Sequence, residues 1–309
     1  MSIKKSIFIA CLKMGKRKER LRNAQNKPFD VEKSRKSIEI LNKLIGWLQP
    51  VRNDIKREMT HVDGMPGVHI DNPSSTQRVI LYLHGGAYIK GLKHLSSLYH
   101  YFSAELAVAC EAEVWMPDYR LAPEYPYPAA LEDVYAAYQS LLSKGVEPRH
   151  LFVIGDSAGG GLTLALLMKL RDEGKPLPKA AVTLSAWTDL ALTGESMIKR
   201  DDLDPMLSYK PVSDVPPLII QKGQEKDPYI SPLYGNYKNF PPLMMLVGGQ
   251  EILYDDTLRV VEKAKKAGVN VTLEIEEEMP HVYPVFAGIL PEGKKAIEHI
   301  SLFVKKNVV

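Results

Sequence analysis

The stretch Leu151-Phe-Val-Ile-Gly-Asp-Ser157-Ala-Gly-Gly-Gly161 decides the fold, and an apolar run over 162–170 follows it directly. Its first residues, 151–154, are typical of a short buried strand, and residues 158–171 of a helix. Between them, Gly155-Asp-Ser157-Ala-Gly159 has the G-x-S-x-G form of a nucleophile elbow, a sharp turn that exposes a serine hydroxyl above a sheet. Such a pentapeptide also occurs by chance, so the rest of the chain has to support this interpretation.

The composition is that of an ordinary globular protein, with 309 residues of which 45% are apolar and 25% charged. This length suits one large α/β domain with an insertion, or two modest domains. The two cysteines, Cys11 and Cys110, are far apart and have neither C-x-x-C nor metal-ligand spacing. We therefore expect free thiols in a reducing compartment, and hence a cytoplasmic protein.

The positive charge is concentrated in the first 22 residues. They hold eight basic residues and one acid, a balance of +7, and since the whole chain is +3 the remainder is 3 − 7 = −4. A mildly acidic body argues against nucleic acid as a partner. The short apolar run 6–12 is interrupted by Lys13, which favours an amphipathic capping helix over the alternatives of a signal peptide or a membrane-surface helix. The sequence contains no run long enough for stable membrane insertion.

Strand-like and helix-like segments alternate along most of the chain. Strands are predicted at 78–84, 113–117, 151–154, 180–185, 243–249 and 271–275, and helices at 33–49, 95–106, 131–141, 158–171, 255–267 and 296–303. This alternation predicts an α/β fold with a mostly parallel sheet covered by helices on both faces. The alternation stops at Trp187, and residues 205–242 contain eight of the 22 prolines. A segment of that length and composition is typical of a lid or binding element.

A serine hydroxyl becomes a nucleophile only when a histidine accepts its proton and a carboxylate orients that histidine. On an open α/β sheet the three follow successive strands in the order serine, acid, histidine. His281 follows the strand 271–275, whereas His299 shares the polar face of the last helix. Glu251 follows the strand 243–249, and Asp255, the alternative acid, is expected with Asp256 at a helix N-terminus. The predicted triad is Ser157, Glu251 and His281.

The oxyanion that forms during acyl transfer needs hydrogen-bond donors already in place. One is the N–H of Ala158, which follows the nucleophile. The others are expected from the glycine-rich turn His84-Gly85-Gly86-Ala87-Tyr88, with Gly85 and Gly86 as donors. His84 itself is expected to hold this turn by hydrogen bonding.

Three motifs in this order resemble one known family. They are H-G-G at 84–86, D-Y-R-L-A-P-E at 118–124 and G-D-S-A-G-G at 155–160, followed by S-A-W-T-D-L at 185–190 and P-H at 280–281. The chain is therefore similar to the hormone-sensitive-lipase-like carboxylesterases of the α/β-hydrolase fold. It departs from that family's pattern at Ala87, where a third glycine is frequent, and at Glu251, where aspartate is commoner.

The resemblance implies a serine carboxylesterase that acts on a small-molecule ester without a metal or another cofactor. It also implies a catalytic core at 51–187 and 241–309, and a cap over the active site at 1–50 and 188–240. Because a cap limits the pocket, we expect short- to medium-chain acyl groups as substrates. An amidase or peptidase with the same triad is the alternative, and a non-enzymatic small-molecule receptor is a more distant one.

Further expectations concern the surroundings of the triad. Tyr88, Trp187 and Tyr283 are candidates for lining the substrate pocket, although each also suits plain core packing. Asp118, Arg120, Glu124 and Asp156 are expected to form a buried network of arginine and carboxylates beneath the elbow. The strand 271–275 should be the last of the sheet, and its free edge makes a homodimer one expected arrangement.

Overall fold

A computed structural model describes residues 3–23, 29–49, 52, 54–62 and 64–307. Eight strands form one sheet: β1 (Lys56–Val62), β2 (Met65–Asp71), β3 (Arg78–Leu83), β4 (Ala112–Pro117), β5 (Leu151–Asp156), β6 (Ala180–Leu184), β7 (Leu243–Gly248) and β8 (Val271–Glu276). Their spatial order is β1-β2-β4-β3-β5-β6-β7-β8. All pairs from β4 to β8 are parallel, and only β1 with β2 and β2 with β4 are antiparallel. The predicted α/β class with a mostly parallel sheet is confirmed.

Helices cover both faces of this sheet. They are α1 (Ile3–Asn23), α2 (Val31–Leu48), α3 (Leu92–Cys110), α4 (Ala129–Ser143), α5 (Ala158–Asp172), the short α6 (Ser196–Lys199), α7 (Tyr209–Ser213) and α8 (Pro216–Ile219), then α9 (Tyr254–Lys266) and α10 (Pro291–Lys306). Apolar side chains of α4, α5 and α9 pack on one face, and those of α1, α2, α3 and α10 on the other. Every residue of the central strand β5 is therefore buried.

The proline-rich region between β6 and β7 contains three short helices and a 3-10 turn, Pro232–Tyr234. Its apolar side chains, among them Ile219 and Ile230, join the cluster on the α4 and α5 face. Helix α1 forms an ion pair with the same region, between Arg20 and Asp201 at 2.7 Å. That residues 1–50 and 188–240 act together as a cap stays a prediction.

The strand β8 lies at one end of the sheet, as predicted, and its side chains are only partly covered. The homodimer that this edge suggested stays a prediction. Among the described helices, none combines the length and the apolar character needed to cross a membrane.

Candidate active site

Ser157 lies between β5 and α5 in a strained backbone conformation, with φ 52° and ψ −119°. A non-glycine residue adopts such angles only where its surroundings impose them. The neighbouring glycines are required by close packing. A Cβ at Gly155 would lie 2.3 Å from the carbonyl oxygen of Gly159, and a Cβ at Gly159 would lie 2.0 Å from that of Leu83. The turn is therefore a nucleophile elbow in geometry as well as in sequence.

The structure brings Ser157, His281 and Glu251 into one hydrogen-bonded chain. The Ser157 hydroxyl lies 2.9 Å from His281 Nε2, and His281 Nδ1 lies 2.6 Å from Glu251 Oε2. His281 follows β8 and Glu251 follows β7, so both side chains come from the carboxyl ends of parallel strands. Both are buried, whereas Ser157 remains partly accessible.

Two opposing effects determine the basicity of His281. Burial disfavours its charged form, but the Glu251 carboxylate outweighs burial through its charge and its hydrogen bond, with smaller contributions from Asp204 and Asp156. The net result is that the pKa of His281 lies above its ordinary value. The imidazole is thus made a stronger proton acceptor by the residue that orients it.

Glu251 is itself held from two sides. Its Oε1 accepts a hydrogen bond from the Gly248 N–H at 2.6 Å and one from the Ser185 hydroxyl at 2.7 Å. The same Ser185 oxygen accepts the N–H of Val282 at 3.0 Å, one residue after His281. Ser185 therefore links the acid to the loop that carries the imidazole. No motif predicted this role for Ser185, although its position directly after the buried strand β6 is the relevant signal.

The alternative acid, Asp255, is engaged elsewhere. Its Oδ2 accepts the Ser196 N–H at 2.8 Å. Asp256 is buried and accepts the N–H groups of Thr188 and Asp189 at 2.7 and 3.0 Å, and burial raises its pKa to about 7. Both aspartates lie in the first turn of α9, as expected, but neither caps it, because the N-cap residue is Leu253 and the two carboxylates bind backbone of the segment after β6.

The turn after β3 has an unusual backbone. Gly86, Ala87 and Tyr88 all have positive φ, at 118°, 55° and 61°. The prediction that Gly85 supplies an oxyanion donor is contradicted, because its N–H already donates to Asp156 Oδ1 at 2.9 Å and contacts the Tyr99 hydroxyl at 2.7 Å. Within the described part of the chain, the N–H groups of Gly86, Ala87 and Ala158 have no protein acceptor. The N–H of Ala158 directly follows Ser157, and the other two belong to the turn after β3, whose start packs against Gly159.

Asp156 connects this turn to the elbow. Besides the Gly85 N–H, its carboxylate accepts the hydroxyls of Tyr82 at 2.7 Å and Tyr99 at 2.9 Å. Burial raises the pKa of Asp156 to about 6, against the lowering effect of these hydrogen bonds. The carboxylate of the residue before Ser157 therefore also binds the start of the glycine turn.

His84 has the structural position expected of it. Its ring stacks on Tyr119 with centroids 4.1 Å apart, and its Nδ1 lies 2.7 Å from the Gly85 carbonyl oxygen. Burial lowers the pKa of His84 below its ordinary value, which favours the neutral ring.

The predicted network of Arg120 with Asp118, Glu124 and Asp156 is wrong. Arg120 instead pairs with Asp133 at 2.7 Å near the surface. Glu124 pairs with Arg35 of α2, and that guanidinium also donates to the carbonyls of Ile89 and Ala122. The arginine that holds this loop therefore comes from a distant helix rather than from the loop itself.

The three candidate pocket residues do not lie together. Tyr88 and Trp187 are neighbours, with ring centroids 6.4 Å apart, and the backbone N–H of Trp187 donates to the Ser157 carbonyl at 2.9 Å. Tyr88 also lines a small cavity with Leu131, Leu162, Ile219 and Ile230. Tyr283 is buried in the apolar cluster on the other face of the sheet. A role for Tyr88 and Trp187 in substrate binding stays a prediction, and Tyr283 has the packing role that was its alternative.

The chain is similar to several known proteins. A family model described as alpha/beta hydrolase fold matches residues 80–285. The acetyl-hydrolase of Streptomyces hygroscopicus is 40% identical over 228 residues, which cover 74% of this chain and 75% of that protein. An esterase of Acinetobacter venetianus is 33% identical over 241 residues, covering 78% of each chain. The crystal structure of an esterase from the bacterial hormone-sensitive lipase family superposes with a TM-score of 0.90 at 37% identity, covering 100% of this chain and 99% of that one.

Proposed function

Since the chain belongs to the alpha/beta hydrolases, as a carboxylic ester hydrolase of the hormone-sensitive-lipase-like family, we propose that it works through a serine nucleophile and an acyl-enzyme. The observation that carries this proposal is the chain of hydrogen bonds from Ser157 through His281 to Glu251, at 2.9 and 2.6 Å. A buried acid, an imidazole of raised pKa and a strained serine in that order form the arrangement that activates a hydroxyl.

In the first half of the reaction, the Ser157 oxygen attacks the ester carbonyl carbon while its proton moves to His281 Nε2. The carbonyl oxygen becomes an oxyanion, which accepts hydrogen bonds from the N–H groups of Gly86, Ala87 and Ala158. Each such donor contributes about 10²–10³ to the rate in comparable enzymes. The C–O bond then breaks, the imidazolium returns the proton to the leaving alcohol, and the acyl group remains on Ser157.

In the second half, water attacks the acyl-enzyme and His281 accepts its proton. The second tetrahedral intermediate collapses, the carboxylic acid leaves, and the proton returns to Ser157. Glu251 keeps the Nδ1–H tautomer throughout, so that Nε2 is free to accept in both halves. These steps use only protein groups and water.

We propose acyl groups of short to medium length as the substrate class. Tyr88 lies in the turn after β3, and the cavity that it lines with Arg120, Leu162 and Ile219 is small, which argues against room for a long acyl chain beside this turn. The relative from Streptomyces hygroscopicus is named for hydrolysis of an acetyl group, the shortest common acyl chain.

The test compares wild type with Ser157→Ala on p-nitrophenyl esters of increasing acyl length. We expect kcat/KM to peak at the short end, and the alanine variant to lose a factor of about 10⁴ or more. Mass spectrometry of quenched reactions should show an acyl adduct on the peptide that contains Ser157. Comparable activity of the variant, or an adduct elsewhere, would refute the serine mechanism. Faster turnover of a matched amide than of its ester would instead identify an amidase.

A further inference from the structure

Helix α1 carries a line of exposed apolar side chains on its outer face. Ile7, Met14 and Leu21 are 54%, 59% and 62% exposed. They are seven residues apart, and seven residues complete nearly two turns with a drift of only about 20°, so the three lie along one face. Exposed apolar side chains that align on one helix face are a feature of interaction surfaces when further features of the same face support it.

The opposite face of α1 is attached to the rest of the protein. Phe8 and Leu12 are buried in the apolar core, and the Lys16 Nζ donates to the Asp204 carbonyl at 2.6 Å. The outer row is therefore not a core-facing stripe that has been left uncovered. Within the described residues, α1 already has a packed inner face and presents a second apolar face to solvent.

The charge of this region restricts what can cover that face. Residues 1–22 carry +7 while the rest of the chain carries −4. Lys13 and Arg17 are exposed beside the apolar row and have no ion-pair partner among the described residues. A second copy of this chain would bring one such basic segment against another, and like charges at contact oppose that pairing.

The exposed apolar row and the basic side chains beside it are both matched by a surface that has negative charge outside and an apolar interior. We propose that α1 docks the protein on anionic lipid bilayers, with Ile7, Met14 and Leu21 in the interface and Lys13 and Arg17 against the headgroups. A helix of this kind lies in the plane of the interface and does not cross it. The inference is independent of the esterase mechanism, because none of these side chains belongs to the active site.

The experiment is co-sedimentation of the full chain with vesicles of phosphatidylglycerol and phosphatidylcholine, compared with vesicles of phosphatidylcholine alone. We expect binding only to the anionic vesicles, and release as salt shortens the screening length from roughly 10 Å at 0.1 M to 3 Å at 1 M. The double variant Lys13→Gln/Arg17→Gln should lower the partition coefficient about 25-fold, since each basic residue near an anionic surface contributes about five-fold. Met14→Ser/Leu21→Ser should lower it about ten-fold or more.

Helix α10 offers matched controls. Leu302 is 66% exposed, and Lys294 and Lys295 are exposed on the same helix. Leu302→Ser and Lys294→Gln/Lys295→Gln should leave vesicle binding unchanged, and all four variants should keep the wild-type hydrolysis of a soluble p-nitrophenyl ester. Equal effects of the α1 and α10 variants would overturn the proposal, as would a lack of binding to anionic vesicles. A dimer in sedimentation velocity that Met14→Ser/Leu21→Ser dissociates, with no vesicle binding, would also overturn it and identify a second copy as the occupant.

Discussion

Replacing Ser185 with alanine tests the link between the acid and the histidine loop. Ser185 is buried, donates to Glu251 Oε1 at 2.7 Å and accepts the Val282 N–H at 3.0 Å. The substitution removes both hydrogen bonds at once while leaving the backbone chain length and the triad residues unchanged. The Gly248 N–H remains as the single donor to Oε1. The variant therefore loses positioning of the acid, not the acid itself.

The magnitude follows from the chemistry of the two bonds. A hydrogen bond to a charged group contributes about 1.5–3 kcal/mol, and a buried N–H left without an acceptor costs about 1–3 kcal/mol. Since the two effects share one side chain, we expect a loss of about 3 kcal/mol or more in the free energy of unfolding. Without the Ser185 hydrogen bond, the Glu251 carboxylate can move by a fraction of an ångström, and His281 then loses its alignment with the Ser157 hydroxyl. We therefore expect kcat to fall about ten-fold or more.

The measurements are urea unfolding and the steady-state kinetics of a short p-nitrophenyl ester. Ser103→Ala is the matched control, because Ser103 is equally buried and its hydroxyl donates only to the Tyr99 carbonyl within α3. That variant should lose about 1 kcal/mol and keep its kcat. If Ser185→Ala unfolds like Ser103→Ala and retains wild-type kcat, the hydrogen bonds of Ser185 do not position the triad and the reasoning fails.

Three further predictions concern the triad, the elbow and the loop behind the glycine turn. Wild-type activity should fall as pH drops through the raised pKa of His281, which places the acidic limb of the pH–rate profile above pH 6.5. Glu251→Gln removes the charge that raises this pKa, so it should move the limb to lower pH and reduce kcat about 10³–10⁴-fold. A limb that does not move in the variant would contradict this. Gly159→Ala places a Cβ 2.0 Å from a backbone oxygen and should prevent stable folding, whereas Gly15→Ala, in open space within α1, should raise stability by about 0.5–1 kcal/mol, as circular dichroism melts would show. Arg35→Lys loses the bidentate pairing with the Glu124 carboxylate and should lower the free energy of unfolding by about 2 kcal/mol. It should also lower kcat, because the same guanidinium binds the carbonyl of Ile89, directly after the glycine turn. Unchanged urea unfolding curves would argue against this.

The parts of the molecule that local pattern and chain order determine were predictable. The glycine-flanked serine between a buried strand and a helix predicted an elbow, and the close packing at Gly155 and Gly159 shows why both flanking residues are glycines. Parallel strands bring their carboxyl ends to one edge, so the residues after β7 and β8 had to approach Ser157. Those two facts together predicted that His281 and Glu251 would meet the nucleophile.

The parts that depend on long-range partners were not predictable from pattern. Gly85 and Gly86 look equivalent in sequence, but only the Gly85 N–H donates to the Asp156 carboxylate. The backbone reverses direction at the next residues, which have positive φ, and the N–H groups of Gly86 and Ala87 are left without a protein acceptor among the described residues. Glu124 could have paired with the nearby Arg120, yet it bonds to Arg35, 89 residues away. Only packing of the assembled helices decides between such partners.

The sharing of the Asp156 carboxylate has a consequence for how this catalyst can be altered. In the proposed mechanism, Ser157 follows Asp156 in the chain and the turn that receives the negative charge is hydrogen-bonded to the Asp156 carboxylate, so their separation is set before an ester binds. Under the proposed mechanism, reactivity is a property of the sheet edge, and selection among esters is expected from the side chains between β6 and β7, in the predicted cap. Substitutions in that outer layer should change which acyl groups are accepted while leaving the intrinsic rate of bond cleavage intact, so the two properties can be engineered separately.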